Sequence, residues 1–316
     1  MLATASSADN RRGILAMLVG MGLFVVSDAT MKLASAHFPT GQMLAVRGAF
    51  ASALVLVLVV AMGEAHRLRA LAQPFVAGRA LIESVIAFMF ISALATAPLA
   101  DLTAILQAAP IIVTLLLVVL GLERVGWRRW AAILVGFAGV LLIVRPGPEG
   151  FDTSALLALA AAILVAGRDL VTRLIHADVP SIVVVLGTTA MVAIVGPAIG
   201  LALGEEWRPV LRAETLILVG AACLYVLANI AIVTAFRKAD VSVVAPFRYA
   251  SVAAALVVGF LVFGEFPDAV ALSGFALVVG AGIYSWHRER IRRDEALDPS
   301  ATTHQPAASP RRGDPA

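Results

Sequence analysis

The stretch Ala97–Val144, APLADLTAILQAAPIIVTLLLVVLGLERVGWRRWAAILVGFAGVLLIV, contains two apolar runs joined by a short arginine-rich loop. A second version of it, ADVSVVAPFRYASVAAALVVGFLVFGEFPDAVALSGFALVVGAGIYS, occupies Ala239–Ser285. In both versions an acidic residue, Glu123 or Glu265, closes the first apolar run, and a glycine-rich run follows. Because an internal repeat reveals how a chain is organised, this doubling predicts a fold built from two related halves.

The composition of the chain indicates a membrane protein. Of its 316 residues, 60% are hydrophobic and 14% are charged, and the mean hydropathy is +0.94, whereas soluble domains contain about 25% charged residues. The single cysteine, Cys223, lies inside an apolar run, which argues against a disulfide framework and a cysteine-based zinc site. We therefore expect the lipid bilayer, and not a nucleic acid, as the macromolecular partner.

Ten apolar runs are separated by charged or turn-forming residues. Each is close to the length of about 20 residues that a helix needs to span a bilayer. We therefore predict an all-α polytopic membrane protein with ten transmembrane helices, at residues 13–34, 42–63, 75–96, 99–120, 130–145, 154–174, 181–203, 214–236, 241–263 and 269–286.

The repeat extends over all ten predicted helices. Asp28 matches Asp169 at an offset of 141 residues (169 − 28), and Gly78 matches Gly220 at an offset of 142 (220 − 78). Helices 1–5 therefore recur as helices 6–10, and because five is odd, the second copy enters the membrane from the opposite side. Such inverted repeats place a substrate site near the middle of the membrane, between the halves.

The repeat also sets the expected domain boundaries. The first repeat covers residues 13–145 and the second covers residues 153–286. A short N-terminal tail occupies residues 1–12, and residues 287–316 form a tail rich in Pro, Ala, Ser and charged residues, which we expect to be disordered.

The distribution of Lys and Arg predicts the orientation. Cytoplasmic loops of membrane proteins carry an excess of these residues, and an N-terminus inside places most of them on that side. Both termini are therefore expected in the cytoplasm. The residues on which this rests are Arg11, Arg12, Arg67, Arg69, Arg124, Arg128, Arg129, Arg173, Arg237, Lys238, Arg288, Arg290, Arg292 and Arg293.

Several of these features resemble a known family. The first half contains Pro110, the run into Leu120-Gly121-Leu122-Glu123-Arg124, and Gly136 and Gly139, and the second contains Ser242–Glu265, Gly280 and Gly282. Each half is similar to the EamA domain of the drug/metabolite transporter (DMT) superfamily. The resemblance implies a ten-helix carrier for small metabolites in a bacterial cell inner membrane, with a central cavity built largely from helices 1, 3, 4, 6, 8 and 9. The sequence segments around Ala97–Asp101 and Pro246–Tyr249 also resemble those of a subgroup that includes riboflavin and S-adenosylmethionine importers.

Glu83 is an ionisable residue near the middle of predicted helix 3. Placing such a residue at this depth costs about 2.5–3.5 kcal/mol, so it is a functional candidate by default. Its repeat equivalent is Tyr225, and Asn229 lies one helical turn further on. Two roles remain open for Glu83: to carry a coupling proton in the cavity, or to form a structural ion pair with Arg79 or with an arginine of another helix.

Arg248 and Tyr249 follow Pro246 in predicted helix 9. Proline frees a backbone carbonyl, which is tolerated at membrane depth only beside protein or a watery cavity. Arginine suits a carboxylate or phosphate, and tyrosine suits an aromatic ring. Gln107 aligns with Tyr249 at the offset of 142 and should face the same cavity. The alternative for Arg248 is a buried ion pair with Glu83.

Four further charged residues form two candidate gates, one on each side of the membrane. Asp28 could pair with Arg47, and Asp169 could pair with Arg168. The sequence does not distinguish gates from ion pairs that only support packing. Arg47 aligns with Thr188, so this arginine breaks the symmetry of the repeat.

The sequence favours a secondary active transporter that moves a small polar or aromatic metabolite by alternating access, with proton coupling left open. The alternatives are a lipid or amphiphile flippase and a non-transporting membrane protein on the same fold. The chain contains neither a zinc-protease nor a serine-hydrolase motif nor a phosphate loop, so we expect no enzyme activity, cofactor or metal. A homodimer also remains open, because the small-residue spacings Ala132/Gly136 and Ala276/Gly280 could pack internally or between two copies.

Overall fold

A computed structural model of the chain describes residues 7–119, 127–145, 152–172, 174–176, 178–239 and 241–297. Within those ranges all regular structure is helical, and nine helices are long and apolar enough to cross a membrane. A further apolar helix, Trp130–Val144, is shorter than the others. The prediction of an all-α polytopic membrane protein is confirmed.

The first repeat contains six α-helices and a 3₁₀ helix. They are α1 Ser7–Ser35, α2 Thr40–Ala61, the 3₁₀ helix Glu64–Ala72, α3 Pro74–Leu94, α4 Leu99–Leu106, α5 Ala109–Val119 and α6 Trp127–Val144. Prolines mark several helix starts, for example Pro98 directly before α4 and Pro74 in the first turn of α3, where the missing N–H has no helical partner to lose.

The second repeat also contains six α-helices and a 3₁₀ helix, but its 3₁₀ helix lies inside the ninth span. It contains α7 Thr153–Thr172, α8 Ser181–Ala202, α9 Thr215–Lys238, α10 Val241–Val244, the 3₁₀ helix Ala245–Tyr249, α11 Ala250–Phe263 and α12 Ala269–Leu297. α12 continues past residue 287, where the disordered tail was expected to begin, because Arg, Glu, Ala and Leu are strong helix formers. α1 likewise begins inside the expected tail 1–12. Glu123, Arg173 and the remainder of the tail, residues 298–316, lie outside the described residues.

The helices pair as a two-fold repeat requires. α1 packs along α9, and their repeat equivalents α7 and α3 pack along each other in the same way. α2 packs against its own equivalent α8, and α6 packs against its own equivalent α12. A helix that contacts its own equivalent must lie beside the axis relating the two halves, so α2, α8, α6 and α12 surround a pseudo-two-fold axis.

Small residues allow the helices at this axis to approach closely. A Cβ atom on Gly139 of α6 would lie 2.8 Å from the carbonyl oxygen of Gly274 of α12, and the reverse contact has the same length. Gly136, of the small-residue spacing noted above, contacts Ile111 and Ala281. This face of α6 therefore packs inside the protein, whereas nothing lies within 4 Å of the Cβ position of Gly280.

Predicted helices 4 and 9 are both broken. The expected continuous run 99–120 is instead α4 and α5, separated at Gln107 and Ala108, because Pro110 has no N–H for the helical ladder. The N–H groups of Ile111 and Ile112 both bond to the Ala108 carbonyl, at 2.9 and 3.1 Å. In the second repeat the 3₁₀ helix around Pro246 interrupts the equivalent position. Both breaks occur at matching points of the repeat.

At one end of the molecule lies a group that we call the Glu265 clasp, consisting of Lys32, Ala97, Leu99 and Glu265. The ammonium of Lys32 forms an ion pair with Glu265 and donates a hydrogen bond to the Ala97 carbonyl at 2.7 Å. Glu265 also accepts a hydrogen bond from the Leu99 N–H at 3.1 Å. The clasp therefore joins α1, the start of α4 and the end of α11, and it gives Glu265 the helix N-terminus that suits a carboxylate.

A second, exposed ion pair lies at the α6–α12 junction. The guanidinium of Arg145 contacts both carboxylate oxygens of Asp268, with 2.6 Å between Nη1 and Oδ2. Asp268 also accepts a hydrogen bond from the Ala271 N–H at 3.0 Å. These hydrogen bonds, from Arg145 above all, lower the pKa of Asp268 to about 2.

Candidate functional site

A cavity of about 370 Å³ lies between the two repeats. Its volume falls within the range of about 300–1,000 Å³ that is typical of small-molecule sites. Both repeats and both broken helices contribute to its wall. Its polar lining residues are Asp28, Arg47, Arg79, Glu83, Thr103, Gln107, Arg168, Tyr225, Asn229, Arg248 and Ser251.

The structure brings most of the predicted site residues into this one cavity. Of the residues predicted to bind substrate, Glu83, Gln107, Tyr225, Asn229 and Arg248 line it, as do the gate candidates Asp28, Arg47 and Arg168. Their roles in binding or gating remain predictions.

Tyr249 and Asp169 do not line the central cavity. Tyr249 lines a smaller neighbouring cavity of about 140 Å³, together with Pro246 and Trp286, and its hydroxyl lies against Gly282. The two cavities share Gln107 and Arg248 in their walls. The expectation that Gln107 and Tyr249 face the same cavity is thus met in the smaller cavity and wrong for the central one.

On the cavity wall formed by α3 and α7, the charged side chains form hydrogen bonds and ion pairs with one another. Oε2 of Glu83 accepts a hydrogen bond from Nη1 of Arg168 at 2.6 Å, and Nη2 of Arg168 donates to Oδ1 of Asp169 at 2.6 Å. The side chains of Arg168 and Glu83 are only 16% and 19% exposed. Of the alternatives left open for Glu83, the structure contains the ion pair with an arginine of another helix.

From the sequence, Arg79 on the same wall is a candidate partner of Glu83. It instead donates hydrogen bonds to the hydroxyls of Thr172 and Thr188, at 3.1 and 2.6 Å. A clue was present in the sequence, because Arg79 lies one helical turn before Glu83 and must therefore face the same side of α3. We refer to Arg79, Glu83, Arg168 and Asp169 as the α3–α7 cluster.

The wall formed by α1, α2 and α9 is different. Arg47 is 6% exposed, and its guanidinium lies over the ring of Tyr225, 5.0 Å from the centroid. Tyr225 makes an edge contact with Phe24, with 5.3 Å between ring centroids. Among the described residues, neither Arg47 nor Asp28 forms a side-chain hydrogen bond or ion pair. The predicted Asp28–Arg47 ion pair is therefore absent, because Arg47 is directed at Tyr225.

A hydrogen bond connects the two helix breaks across the cavity. Nε2 of Gln107 donates to the backbone carbonyl of Arg248 at 2.9 Å. The guanidinium of Arg248 makes no hydrogen bond or ion pair with any other residue of the described ranges, so its alternative pairing with Glu83 does not occur. Asn229 donates to the carbonyl of Tyr225 on its own helix, at 2.9 Å.

Comparisons with three named proteins bear on this arrangement. The chain is 29% identical over 293 residues to a riboflavin transporter of Vibrio cholerae serotype O1, covering 90% of this chain and 97% of that protein. It is 24% identical over 287 residues to an S-adenosylmethionine uptake transporter of Rickettsia bellii, covering 86% and 94%. A pseudopaline exporter of Pseudomonas aeruginosa is 26% identical over 274 residues, covering 86% and 95%.

One solved structure, described only as the crystal structure of a protein, superposes on this chain with a TM-score of 0.59 and 21% sequence identity. The match covers 92% of this chain and all of the other chain. That similarity supports the fold alone. The model of the EamA-like transporter family matches this chain twice, at residues 11–145 and 152–285. With two matched domains that span nearly all its transmembrane helices, the chain belongs to the EamA-like transporter family.

Proposed function

We propose that this protein is a secondary active transporter that moves a small polar or aromatic metabolite across the bacterial inner membrane by alternating access. The observation that carries the proposal is the central cavity, which both repeats line and which lies at the two helix breaks. Broken helices at the interface of two repeats are typical of substrate sites in secondary transporters, since irregular backbone at membrane depth needs a cavity or protein around it.

The relatives suggest the first solutes to test. They are named for riboflavin, S-adenosylmethionine and pseudopaline. Two are named for uptake or transport and one for export, so the direction of transport is a separate question.

Proton coupling is part of the proposal, and the structure changes which carboxyl is the better candidate. Glu83 already has a partner in Arg168 at 2.6 Å. Asp28 lines the same cavity and has no hydrogen-bonded or ion-paired partner among the described residues. We therefore assign the exchangeable proton to Asp28 and a structural role to Glu83.

Uptake by proteoliposomes tests the function. Radiolabelled riboflavin and S-adenosylmethionine are supplied with and without an inward proton gradient, to wild type, Asp28→Asn and Glu83→Gln. We expect saturable uptake of S-adenosylmethionine, which carries a carboxylate, with stimulation by the gradient and loss of that stimulation in Asp28→Asn. Riboflavin, which has neither a carboxylate nor a phosphate, is the comparison solute. Gradient-independent flux in wild type would contradict the coupling. Translocation of a labelled phospholipid without any solute uptake would favour a flippase instead.

The orientation completes the proposal. Both termini lie in the cytoplasm, which the excess of Lys and Arg in the loops on that side supports. Reporter enzymes that are active only in the cytoplasm or only in the periplasm, fused after residue 316, test this assignment directly.

A further inference from the structure

We infer that the transported solute carries a carboxylate or a phosphate, and that Arg47 and Arg248, facing the same cavity, bind that group. This inference rests on the proposed transport function but concerns only the chemistry of the central cavity. It selects anions from the broad class of small polar or aromatic metabolites.

The first observation is the charge of the cavity wall. Four arginines line the cavity, namely Arg47, Arg79, Arg168 and Arg248, against two carboxylic acids, Asp28 and Glu83. Adding Asp169, which bonds to Arg168 from outside the cavity, still leaves more positive than negative groups. With all these groups ionised, the field in the cavity favours an anion.

The second observation is that two of the four arginines donate hydrogen bonds to other side chains and two do not, among the described residues. Arg79 and Arg168 donate hydrogen bonds to residues of the α3–α7 cluster and its neighbouring threonines. Arg47 and Arg248 donate none from their guanidinium groups to any described residue. A guanidinium has five N–H donors and no acceptor, so both side chains hold unused donors beside the cavity.

The burial of Arg47 makes this incomplete bonding informative. Its exposed fraction is 6%, but none of its guanidinium nitrogens is fully buried without a partner, so these donors remain accessible in the cavity. Among the described residues the guanidinium has only the cation–π contact with Tyr225, which leaves its N–H donors open to an acceptor in the cavity. A bound anion would supply the missing acceptors, since carboxylates and phosphates match the planar donor fork of arginine.

The surroundings of Arg47 indicate what else the anion carries. Tyr225 and Phe24 both line the cavity, and they form an aromatic pair directly beside the guanidinium. Aromatic side chains offer an apolar surface with preferred ring-stacking geometry. An aromatic or otherwise flat apolar body attached to the anionic group would contact both features at once.

Asp28 allows the electrostatic argument to be tested in the opposite direction, because its carboxylate should weaken the binding of an anion. It lines the cavity, and the charge of Arg47 acts on it without a direct ion pair. A resident carboxylate repels a second anion. Its removal in Asp28→Asn should therefore strengthen anion binding, whereas loss of either free arginine should weaken it.

Matched pairs of small probes test the inference by calorimetry on the purified protein in detergent, at constant ionic strength. The pairs are benzoate with benzamide, and phenyl phosphate with phenol, so the members of each pair differ mainly in charge. In wild type the anion should bind at least tenfold more tightly than its neutral partner. The pair with the larger ratio identifies carboxylate or phosphate as the preferred group.

The variants then locate the site. Arg47→Gln and Arg248→Gln should each reduce the preference to below threefold, and Asp28→Asn should increase it. The control Arg212→Gln, which removes an exposed arginine outside the cavity, should keep the wild-type ratio. Asp28→Asn keeps the inference testable if an arginine variant does not fold.

Three outcomes would overturn the inference: equal binding within both pairs, a preference that Arg47→Gln and Arg248→Gln leave unchanged, and no binding of any probe. Proteoliposome flux distinguishes failure here from failure of the transport proposal. Flux of neutral solutes without anion preference would contradict only the inference. Selective anion binding with no flux of any solute would contradict only the transport function.

Discussion

The helix pairs α1–α9 and α3–α7 occupy equivalent positions in the repeat and both pack through apolar residues, yet their polar contacts differ. α3 and α7 are joined through the ion pair of Glu83 and Arg168. α1 and α9 are joined by close apolar packing around Gly20, and by a buried hydrogen bond from the Ser27 hydroxyl to the Ala221 carbonyl at 3.0 Å. On the α3–α7 wall of the cavity the charged side chains therefore form ion pairs with one another. On the wall of α1, α2 and α9, Asp28 and Arg47 form no ion pair with any described residue.

The contrast is sharpest at equivalent residues. Asp28 and Asp169 occupy the same position in their repeats, but only Asp169 has an ion-pair partner. Arg47 has Thr188 as its equivalent, and Thr188 accepts a hydrogen bond from Arg79. The two-fold scaffold thus has one wall whose charges pair with each other and one wall on which Asp28 and Arg47 have no hydrogen-bonded partner among the described residues. In the proposed transporter, this asymmetry would suit a solute that itself lacks two-fold symmetry.

The largest effect on the unfolding free energy should come from disrupting the α3–α7 cluster. Arg168→Gln leaves Glu83 and Asp169 without their cation, and breaking a buried ion pair by removing one partner costs about 3 kcal/mol or more. We expect a loss of unfolding free energy of about 3 kcal/mol, measured by denaturant unfolding in detergent. The double variant Glu83→Gln/Arg168→Gln should recover part of that loss. A change below about 0.5 kcal/mol in Arg168→Gln would show that the cluster is not structural.

The interface between α1 and α9 should respond to added volume instead. In Gly20→Ala the new Cβ would lie 2.8 Å from Cγ1 of Ile232 and 3.2 Å from the Ala228 carbonyl oxygen, and such overpacking costs about 1–2 kcal/mol. Gly167→Ala in α7 is the control, because nothing lies within 4 Å of its Cβ position. It should be neutral or stabilising by up to about 1 kcal/mol, through helix propensity. Destabilisation of equal size in both variants would show that the cost at Gly20 does not come from its close packing against α9.

Arg47→Gln should differ from Arg168→Gln although both remove a cavity arginine. The variant removes a buried cation that has no hydrogen-bonded partner, so the unfolding free energy should stay within about 1 kcal/mol of wild type or rise. The same denaturant assay measures both variants. A loss as large as that of Arg168→Gln would mean that Arg47 also stabilises the empty protein, and the distinction between the walls would fail.

The smallest effect is expected at the exposed pair of Arg145 and Asp268, which sets the scale for a solvent-screened interaction. The folded-state pKa of Asp268, about 2, lies below the unfolded value of about 3.9. Its contribution to stability is therefore fully present above about pH 4 and is lost as the pH falls towards 2. Asp268→Asn should show a smaller drop in melting temperature than wild type between pH 6 and pH 3. Identical drops in the two proteins would contradict the assignment.

The repeat made much of this site predictable from the sequence. The offset of 142 connected Glu83 to Tyr225 and Gln107 to Tyr249, and apolar periodicity placed their helices. Partners on other helices were harder to predict, because Glu83 and Arg168 meet only through the packing of α3 on α7. That packing depends on the shapes of whole helix faces, which no local pattern encodes.

Two errors have local physical causes. The sequence predicts one continuous helix through Gln107, because the residues on both sides of Pro110 are as apolar as those of an uninterrupted transmembrane helix. Tyr249 turns away from the central cavity because it ends a 3₁₀ helix, which has 3.0 residues per turn instead of 3.6. Its direction therefore departs from the one that alignment with Gln107 implies.

The Glu265 clasp has a consequence for the kinetics of the protein. One carboxylate accepts from both the Lys32 ammonium and the Leu99 N–H, and Lys32 also donates to the Ala97 carbonyl. A single side chain therefore links α1, the start of α4 and the end of α11. We expect Glu265→Gln to raise the rate at which these three segments separate locally, measured by amide hydrogen exchange at Leu99.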